Sequence, residues 1–229
     1  AEGISGDYFC TFLNNIVRNN GSTGIYSYEG GLVQGNTIIA NSAEGIYLSY
    51  GNNVRVLNNL VKKNSYEGIY IDDDVALLAN NIANRNGGSG LYPYYDSVIT
   101  RANISALNGD YGIYYDDYGN AVQNNLVVDN ANTGIGGYAY HSLVEGNTVR
   151  NNDGEGITDF EMTVVRNNTV TDNTLNGINA FYSDIGHPLG NYVSDNICSG
   201  NGDGVTTFDL FDAVPPQSWW VNNTGTHNW

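Results

Sequence analysis

The chain has 229 residues, the size of one domain with its own core. Asp and Glu number 24 against 8 Lys and Arg, a formal charge of −16 that argues against nucleic acid and against an anionic membrane surface as partners. No apolar run is long enough to span a membrane, and no Gly-x-Gly-x-x-Gly, P-loop, His-Glu-x-x-His or Cys-x-x-Cys motif is present.

The anomaly is 36 Asn, 29 Gly and 18 Tyr, and they recur with a period. In chain order, pairs of Asn five residues apart stand at Asn15/Asn20, Asn36/Asn41, Asn59/Asn64, Asn81/Asn86, Asn103/Asn108, Asn125/Asn130, Asn147/Asn152, Asn168/Asn173, Asn196/Asn201 and Asn223/Asn228. Between them run glycines followed by an aliphatic residue: Gly3, Gly24, Gly45, Gly68, Gly90, Gly112, Gly134, Gly156, Gly177 and Gly204. Successive glycines lie 21 to 23 residues apart, except for the last interval of 27. A period near 22 is too short for helix-pair repeats, and the alternation Val54-x-Val56, then Ile69-x-Ile71, is that of strands. Coils of this length stacked about 4.8 Å apart make a parallel β-helix, all-β and single-stranded, of about ten coils. Residues 1–229 then form one domain.

Each column acquires a physical meaning. The residues after the glycines, Ile4, Ile25, Ile46, Ile69, Leu91, Ile113, Ile135, Ile157, Ile178 and Val205, predict an aliphatic stack in the core. The Asn columns predict ladders, with Asn at left-handed turns and its amide donating to one coil and accepting from the other. Glycine at each strand start permits a positive φ or close packing. Ala1-Glu2-Gly3-Ile4 repeats Ala43-Glu44-Gly45-Ile46, so the sequence opens inside a coil and is expected to be a piece of a longer chain; Trp219, Trp220 and Trp229 are candidates for a cap. Cys10 and Cys198 belong to distant coils and are not expected to bridge.

The unit Asn-Asn-x-Val…Asn…Gly-Ile resembles the repeats of right-handed parallel β-helix proteins, among them polysaccharide lyases, alginate epimerases, some glycoside hydrolases and NosD-like surface and periplasmic proteins. Gly190-Asn191-Tyr192-Val193-Ser194-Asp195 is similar to a Gly-Asn-Tyr-Trp-Ser-Asp segment of NosD-like chains, with Val193 in place of Trp. The resemblance implies right-handed winding, a secreted or cell-surface location and polysaccharide as partner. It also implies association into homo-oligomers or with further domains. The epimerase signature Asp-Pro-His-Asp and the paired basic residues of pectate lyases are missing.

Coil length varies only on the side that follows the glycine strand, where the gap to the next anchor Asn runs from 12 to 19 residues. A scaffold constant on two sides and elaborated on the third carries its site on the third. There stand Tyr26, Tyr47, Tyr70, Tyr92 and Tyr114, predicted as an outward stack. Beyond them come Asp72, Asp73, Asp74; Tyr94, Tyr95, Asp96; Asp116, Asp117, Tyr118; Tyr138, Tyr140, His141; and Asp159, Glu161. Arg18, Lys62, Lys63, Arg85 and Arg150 lie about ten residues further round the coil, so charge is segregated by face.

Rings offer flat apolar faces to sugars, and carboxylates bind hydroxyls, hold Ca²⁺ or move protons. Tyr70, Tyr92, Tyr94, Tyr95, Tyr118, Tyr138, Asp159 and Glu161 are accordingly candidate substrate-binding residues, and Asp72, Asp73 and Asp74 candidate Ca²⁺ ligands. Candidate catalytic groups are Asp96, Asp116, Asp117, Tyr114, Tyr140 and His141, with His141 the best base and His187 a weaker one. Asp72 and Asp116, two coils apart, are expected about 9–10 Å from each other, near the upper limit for an inverting glycosidase. Asp96 and Asp116 are expected on adjacent coils at about 5 Å, a retaining geometry. Elimination or epimerisation of a uronate would need Ca²⁺ here, because the face lacks cations. The competing class is a non-catalytic module, whether adhesin, surface-layer element or glycan-binding spacer, in which the Tyr stack is packing and the acids are turn formers.

Overall fold

The computed structural model describes residues 1–158, 160–180, 190–203, 206–212 and 218–228. Among these residues there is no helix, and the strands pair in parallel, each with its counterpart one coil away. A turn has three limbs, seen in the strands Ile69–Asp74, Leu77–Ala79 and Ile82–Asn84. The first two limbs fuse into one 15-stranded sheet because two early strands, Ile4–Leu13 and Ile25–Gln34, run through the corner between them. The third limb is a nine-stranded sheet, so eight full turns separate its first and last strands. The ten coils expected are therefore slightly too many: at the last copy the third limb is reduced to a single bridge between Ile197 and Thr224.

Repetition builds the core. Ile25, Ile46, Ile69, Leu91, Ile113, Ile135, Ile157 and Ile178 are fully buried and stacked. The next rung is Leu210, in register with Ile178; Val205 lies outside the described residues. The second limb turns inward Val33, Val56, Leu78, Thr100, Val122, Val144, Val165 and Val193. Trp220 continues that column over Val193 and donates its Nε1–H to Asp212 Oδ2 at 3.3 Å, as a cap would. Trp219 does not cap, being 69% exposed, and Trp229 is outside the described residues. Cys198 stacks on Val170 in the third limb, and both cysteines are free.

Two side-chain ladders tie the coils together. In the first, the Nδ2 of each Asn donates to Oδ1 of the next, from Asn15 through Asn36, Asn59, Asn81, Asn103, Asn125, Asn147, Asn168 and Asn196 to Asn223, at 2.9–3.1 Å. In the second, Asn20 begins the run through Asn41, Asn64, Asn86, Asn108, Asn130, Asn152 and Asn173 to Asn201. The second ladder ends on Asp209, 2.9 Å away, rather than on Asn228. The same Oδ1 also accepts the backbone N–H of the preceding rung, as Asn125 does from Asn103. The anchors themselves do not take the left-handed turn; the residue before each does, with φ near +55° at Asn58, Asn80, Ala102 and Asn124. One residue bends the chain and the next bonds across coils.

The strand-opening glycines serve close approach, not a positive φ. A Cβ on Gly68 would lie 2.5 Å from Gly90 O and 2.7 Å from Asn86 Nδ2, and φ is not positive there. Gly68→Ala and Asn103→Ala should each destabilise the protein strongly. In Asn103→Ala the N–H and Nδ2 of Asn81 lose their acceptor, at a cost of about 2–4 kcal/mol. The exposed Asn132→Ala should cost less than about 1 kcal/mol. Urea midpoints of the three variants, measured side by side, check this ranking.

Candidate functional site

The glycine-side limb places five tyrosines on one line. Tyr26, Tyr47, Tyr70 and Tyr92 occupy equivalent register positions, and Tyr114 follows on the next coil. Ring centroids are 5.5, 4.9, 4.9 and 4.5 Å apart in that order. The run stops where Tyr114 faces Gly136, and there Tyr111 closes it edge-on, 5.1 Å from Tyr114. The predicted stack thus exists, but in its middle the ring faces are spent on one another. Tyr47, Tyr70 and Tyr92 stack with interplanar angles of 5° and 27°, so this stretch turns edges and hydroxyls to solvent, whereas Tyr26 is tilted by 60° on Tyr47 and Tyr114 meets Tyr92 at 65°.

Those hydroxyls meet carboxylates. Tyr47 Oη donates to Asp72 at 3.4 Å and Tyr114 Oη to Asp116 at 3.5 Å, while Tyr26 Oη lies 3.3 Å from Ser49 Oγ. Half-burial, with the neighbouring acids second, pushes the Tyr47 and Tyr92 phenols up to about 12 and those of Tyr70 and Tyr114 higher. All four are neutral hydrogen-bond donors at physiological pH.

Beside the ladder the acids fall into distinct columns. Backbone bonds from Tyr94 to Ile71 and from Asp116 to Pro93 put Asp72, Tyr94 and Asp116 one above another. Burial raises both carboxyl groups of this column, Asp72 and Asp116, above the ordinary range. A second column holds Asn52, Asp74, Asp96, Tyr118, Tyr140 and Glu161. Here Asp96 receives the Tyr118 N–H at 2.7 Å, and its own N–H bonds Asp74 at 3.2 Å. The expectation that Asp96 and Asp116 are equivalents on adjacent coils is therefore corrected: they belong to different columns, and the adjacent equivalent of Asp116 is Tyr94. Asp117 stands in a third column with Ala139, and burial followed by Asp96 and Asp74 raises its carboxyl.

Strand alternation also separates the three expected Ca²⁺ ligands. Asp72 and Asp74 point outward and Asp73 inward, and among the described residues no three His, Cys, Asp or Glu side chains converge as a metal site. Asp73 is 1% exposed. Its Oδ1 accepts the N–H of Gly51, in a segment where the register slips between Ser49 and Asn52, and its Oδ2 has no hydrogen-bond partner. Burial, then the charges of Asp72 and Asp74, push its carboxyl up to about 7. Above it lies an open cleft of about 190 Å³, lined by Tyr50, Asn52, Asp72, Asp74 and Tyr95.

The remaining candidates are scattered around this centre. Tyr94 packs edge-on against Tyr70, Tyr92 and Tyr95. Tyr118, 51% exposed, stacks on Tyr140 at 5.1 Å and on His141 at 6.1 Å. His141 is an exposed turn residue with φ of 51°, whereas Tyr138 is 65% exposed. Glu161 is buried, which removes it from the substrate-facing set. Asp159 and His187 lie outside the described residues. Two participants escaped the sequence reading: Tyr50, at the cleft, and Tyr111, at the ladder end. The signal for the first was the gap of 14 residues between Gly45 and Asn59, in which Tyr50-Gly51 falls at the slip.

The right-handed β-helix family model matches residues 3–142 and, overlapping, 58–197, and the chain belongs to this family. The A-module of the Azotobacter vinelandii mannuronan C-5 epimerase AlgE6 is similar, with a TM-score of 0.78 and 17% identity over 97% of this chain and 65% of that one. The periplasmic alginate epimerase AlgG gives 0.70 and 16% over 87% of this chain and 61% of that one. ORF18 of Geobacillus virus E2 gives 0.65 and 13%, over 97% and 52%. The chain thus spans less than two thirds of each. A comparison with curated proteins found no match. Among the described residues no helix is long and apolar enough to cross a membrane.

The buried carboxyl yields a pH test. Asp73 holds its proton more tightly folded than unfolded, so its contribution to stability is complete near pH 4 and is lost as pH rises through about 7. Asp73→Asn keeps an acceptor for Gly51 and cannot ionise. It should raise the melting temperature at pH 8, by at most about 4 kcal/mol of stability, and change it little at pH 4. Calorimetry at both pH values checks the difference.

Proposed function

We propose that this chain is a polysaccharide-handling β-helix that works outside the cytoplasm and lays its polymer along the Tyr/Asp face, parallel to the solenoid axis. The observation that carries the reading is the ladder from Tyr26 to Tyr114 with the column Asp72, Tyr94, Asp116 beside it. Phenol donors repeat at 4.5–5.5 Å, a length comparable to one sugar, and a carboxylate acceptor stands beside them on every second coil. Rings with free surface, Tyr50, Tyr95, Tyr118 and Tyr138, surround the row and supply the flat contacts that the stacked ladder does not.

For catalysis the arrangement favours hydrolysis over elimination. A lyase needs a cation to neutralise the uronate carboxylate, and no Lys or Arg lies in the segments forming this face. Hydrolysis needs one protonated and one ionised carboxyl group. Asp116, whose burial favours its proton, is the acid toward the glycosidic oxygen. Asp72, two coils away and about 9–10 Å distant, is the base that activates water on the opposite side of the sugar. Tyr94, on the intervening coil, forms the floor between them. That separation predicts inversion at the anomeric carbon. The non-catalytic reading has its own observation: each acid of the pair already holds a tyrosine hydroxyl.

A screen of neutral, amino and uronate polysaccharides, with and without Ca²⁺, separates these readings by reducing ends, unsaturated products and retention. Asp116→Asn should abolish release of reducing ends while the melting temperature stays within about 2 °C. Retention of a glycan without any product would leave a binding module. Unsaturated products only with Ca²⁺ would establish a lyase. No retention of any polymer would end the proposal.

A further inference from the structure

The corner between the first two limbs carries a column of left-handed residues. Asn53, Val75 and Ser97 stand one above another with φ of 62°, 52° and 59°, and Gly119 follows with 71°. Asn and Gly take this region readily. A β-branched side chain does not, and Val75 is the one Val, Ile or Thr with a positive φ among the described residues. Val75 is also 50% exposed, so packing in the core does not account for the strain. Strain held at a surface position points to a use for the side chain itself.

Val75 forms one wall of an open groove of about 230 Å³ on the second limb. Leu77 and Ile99, the latter 42% exposed, form the other wall, and the buried Val54 and Ala76 lie between. No aromatic ring lines this groove, in contrast to the Tyr/Asp face. Its polar groups sit at the ends: Asn53 and Arg55 on one coil, Ser97 two coils on. The distance between those ends is about 9–10 Å.

Charge around the groove has one sign. Segments 53–63, 75–85 and 97–107 contain no Asp or Glu and carry Arg55, Lys62, Lys63, Arg85 and Arg101. Asp74 and Asp96 stand before the corner, in the acidic columns of the first limb. Among the described residues the one ion pair is Arg166 with Glu145, and the Arg55 guanidinium has neither an ion pair nor a hydrogen bond. A free guanidinium at the end of an aliphatic trough matches a ligand with an apolar chain and an anionic head. A carboxylate fits the planar fork and brings one negative charge, the least that answers a single Arg in a chain of net charge −16.

We propose that this groove binds an aliphatic carboxylate, its head on Arg55 and its chain laid along the axis across Val75, Leu77 and Ile99. Removal of the chain from water drives binding, and Arg55 selects the head. The site lies across the corner from the Tyr/Asp face and does not depend on the glycan reading.

The test is an NMR titration at pH 7 in 0.15 M salt, where fields reach only about 8 Å and the distant acids are screened. Octanoate, octanol and octylamine are compared at the amides of Val75, Leu77 and Ile99. Octanoate should bind at least threefold more tightly than octanol, with the protonated amine weakest. Arg55→Gln should bring octanoate level with octanol, and Ile99→Ser should weaken both. Val75→Asn should raise the melting temperature, because Asn accepts the left-handed turn, while weakening octanoate at least threefold; a merely structural valine would not move the two in opposite directions. Equal binding of the three compounds, tightest binding of the amine, or no response at these amides overturns the proposal. So does a lower melting temperature in Val75→Asn with octanoate binding unchanged. Shifts at the same amides on dilution, without any ligand, would give the groove to a second copy of the chain and overturn it as well.

Discussion

Everything in this molecule depends on the amide of one asparagine reaching the carbonyl oxygen of the same asparagine one coil on. Backbone pairing alone holds parallel strands together but tolerates slippage wherever the two faces look alike. The anchor Asn removes that freedom. Its side chain is buried, its Nδ2 and N–H both point to the next Oδ1, and a shift by one residue would leave three buried polar groups unpaired. Register set at two corners of each coil passes to the third. There the chain is free to vary in length, and there the tyrosines and aspartates fall into line.

The stacked tyrosines show how a repeated residue changes its own chemistry. A single Tyr on a strand offers a face; in the stretch Tyr47, Tyr70 and Tyr92, at a rise of about 5 Å, the rings cover one another, and only the end rings Tyr26 and Tyr114 turn away from the stack. The ladder becomes a rail of neutral hydroxyls, and the aromatic contacts pass to rings outside it, such as Tyr118 and Tyr138. The same repetition crowds the acids. Asp116 and Asp117 adjoin in sequence, and Asp74 and Asp96 adjoin in space, so charge is concentrated where the scaffold leaves it no cation.

The fold was legible because a stacked repeat writes its contacts into its period: Ile69, Leu91 and Ile113 had to coincide if the glycines before them did. The face carrying the tyrosines was legible for the same reason. What was not legible depends on departures from the period. The slip at Tyr50-Gly51 alters which residues meet at the cleft. The inward turn of Asp73, by contrast, was available from the alternation Ile69-x-Ile71 carried two residues further, which grouping Asp72, Asp73 and Asp74 as one ligand set overlooked. Offsets between Asp96 and Asp116 need the actual corner geometry, since each coil reaches its acids through a different number of residues. Asp209 as the final rung of an asparagine ladder is a replacement by shape, since its Oδ1 accepts as an amide oxygen does.

The two ladders have a direction. Every bond from one rung to the next runs toward the higher-numbered coil, while the same Nδ2 also donates to a backbone carbonyl of the lower-numbered coil, as Asn59 does to Val33 and Asn103 to Leu78. Turning over one amide in mid-row would set nitrogen against nitrogen on one side and oxygen against oxygen on the other. Individual side chains are thus unable to flip alone, and the row holds one orientation from end to end, like tiles that topple only together. The aligned amide dipoles add along the rod and give this β structure, which has no helix among the described residues, a lengthwise electrical polarity of the kind usually associated with helices.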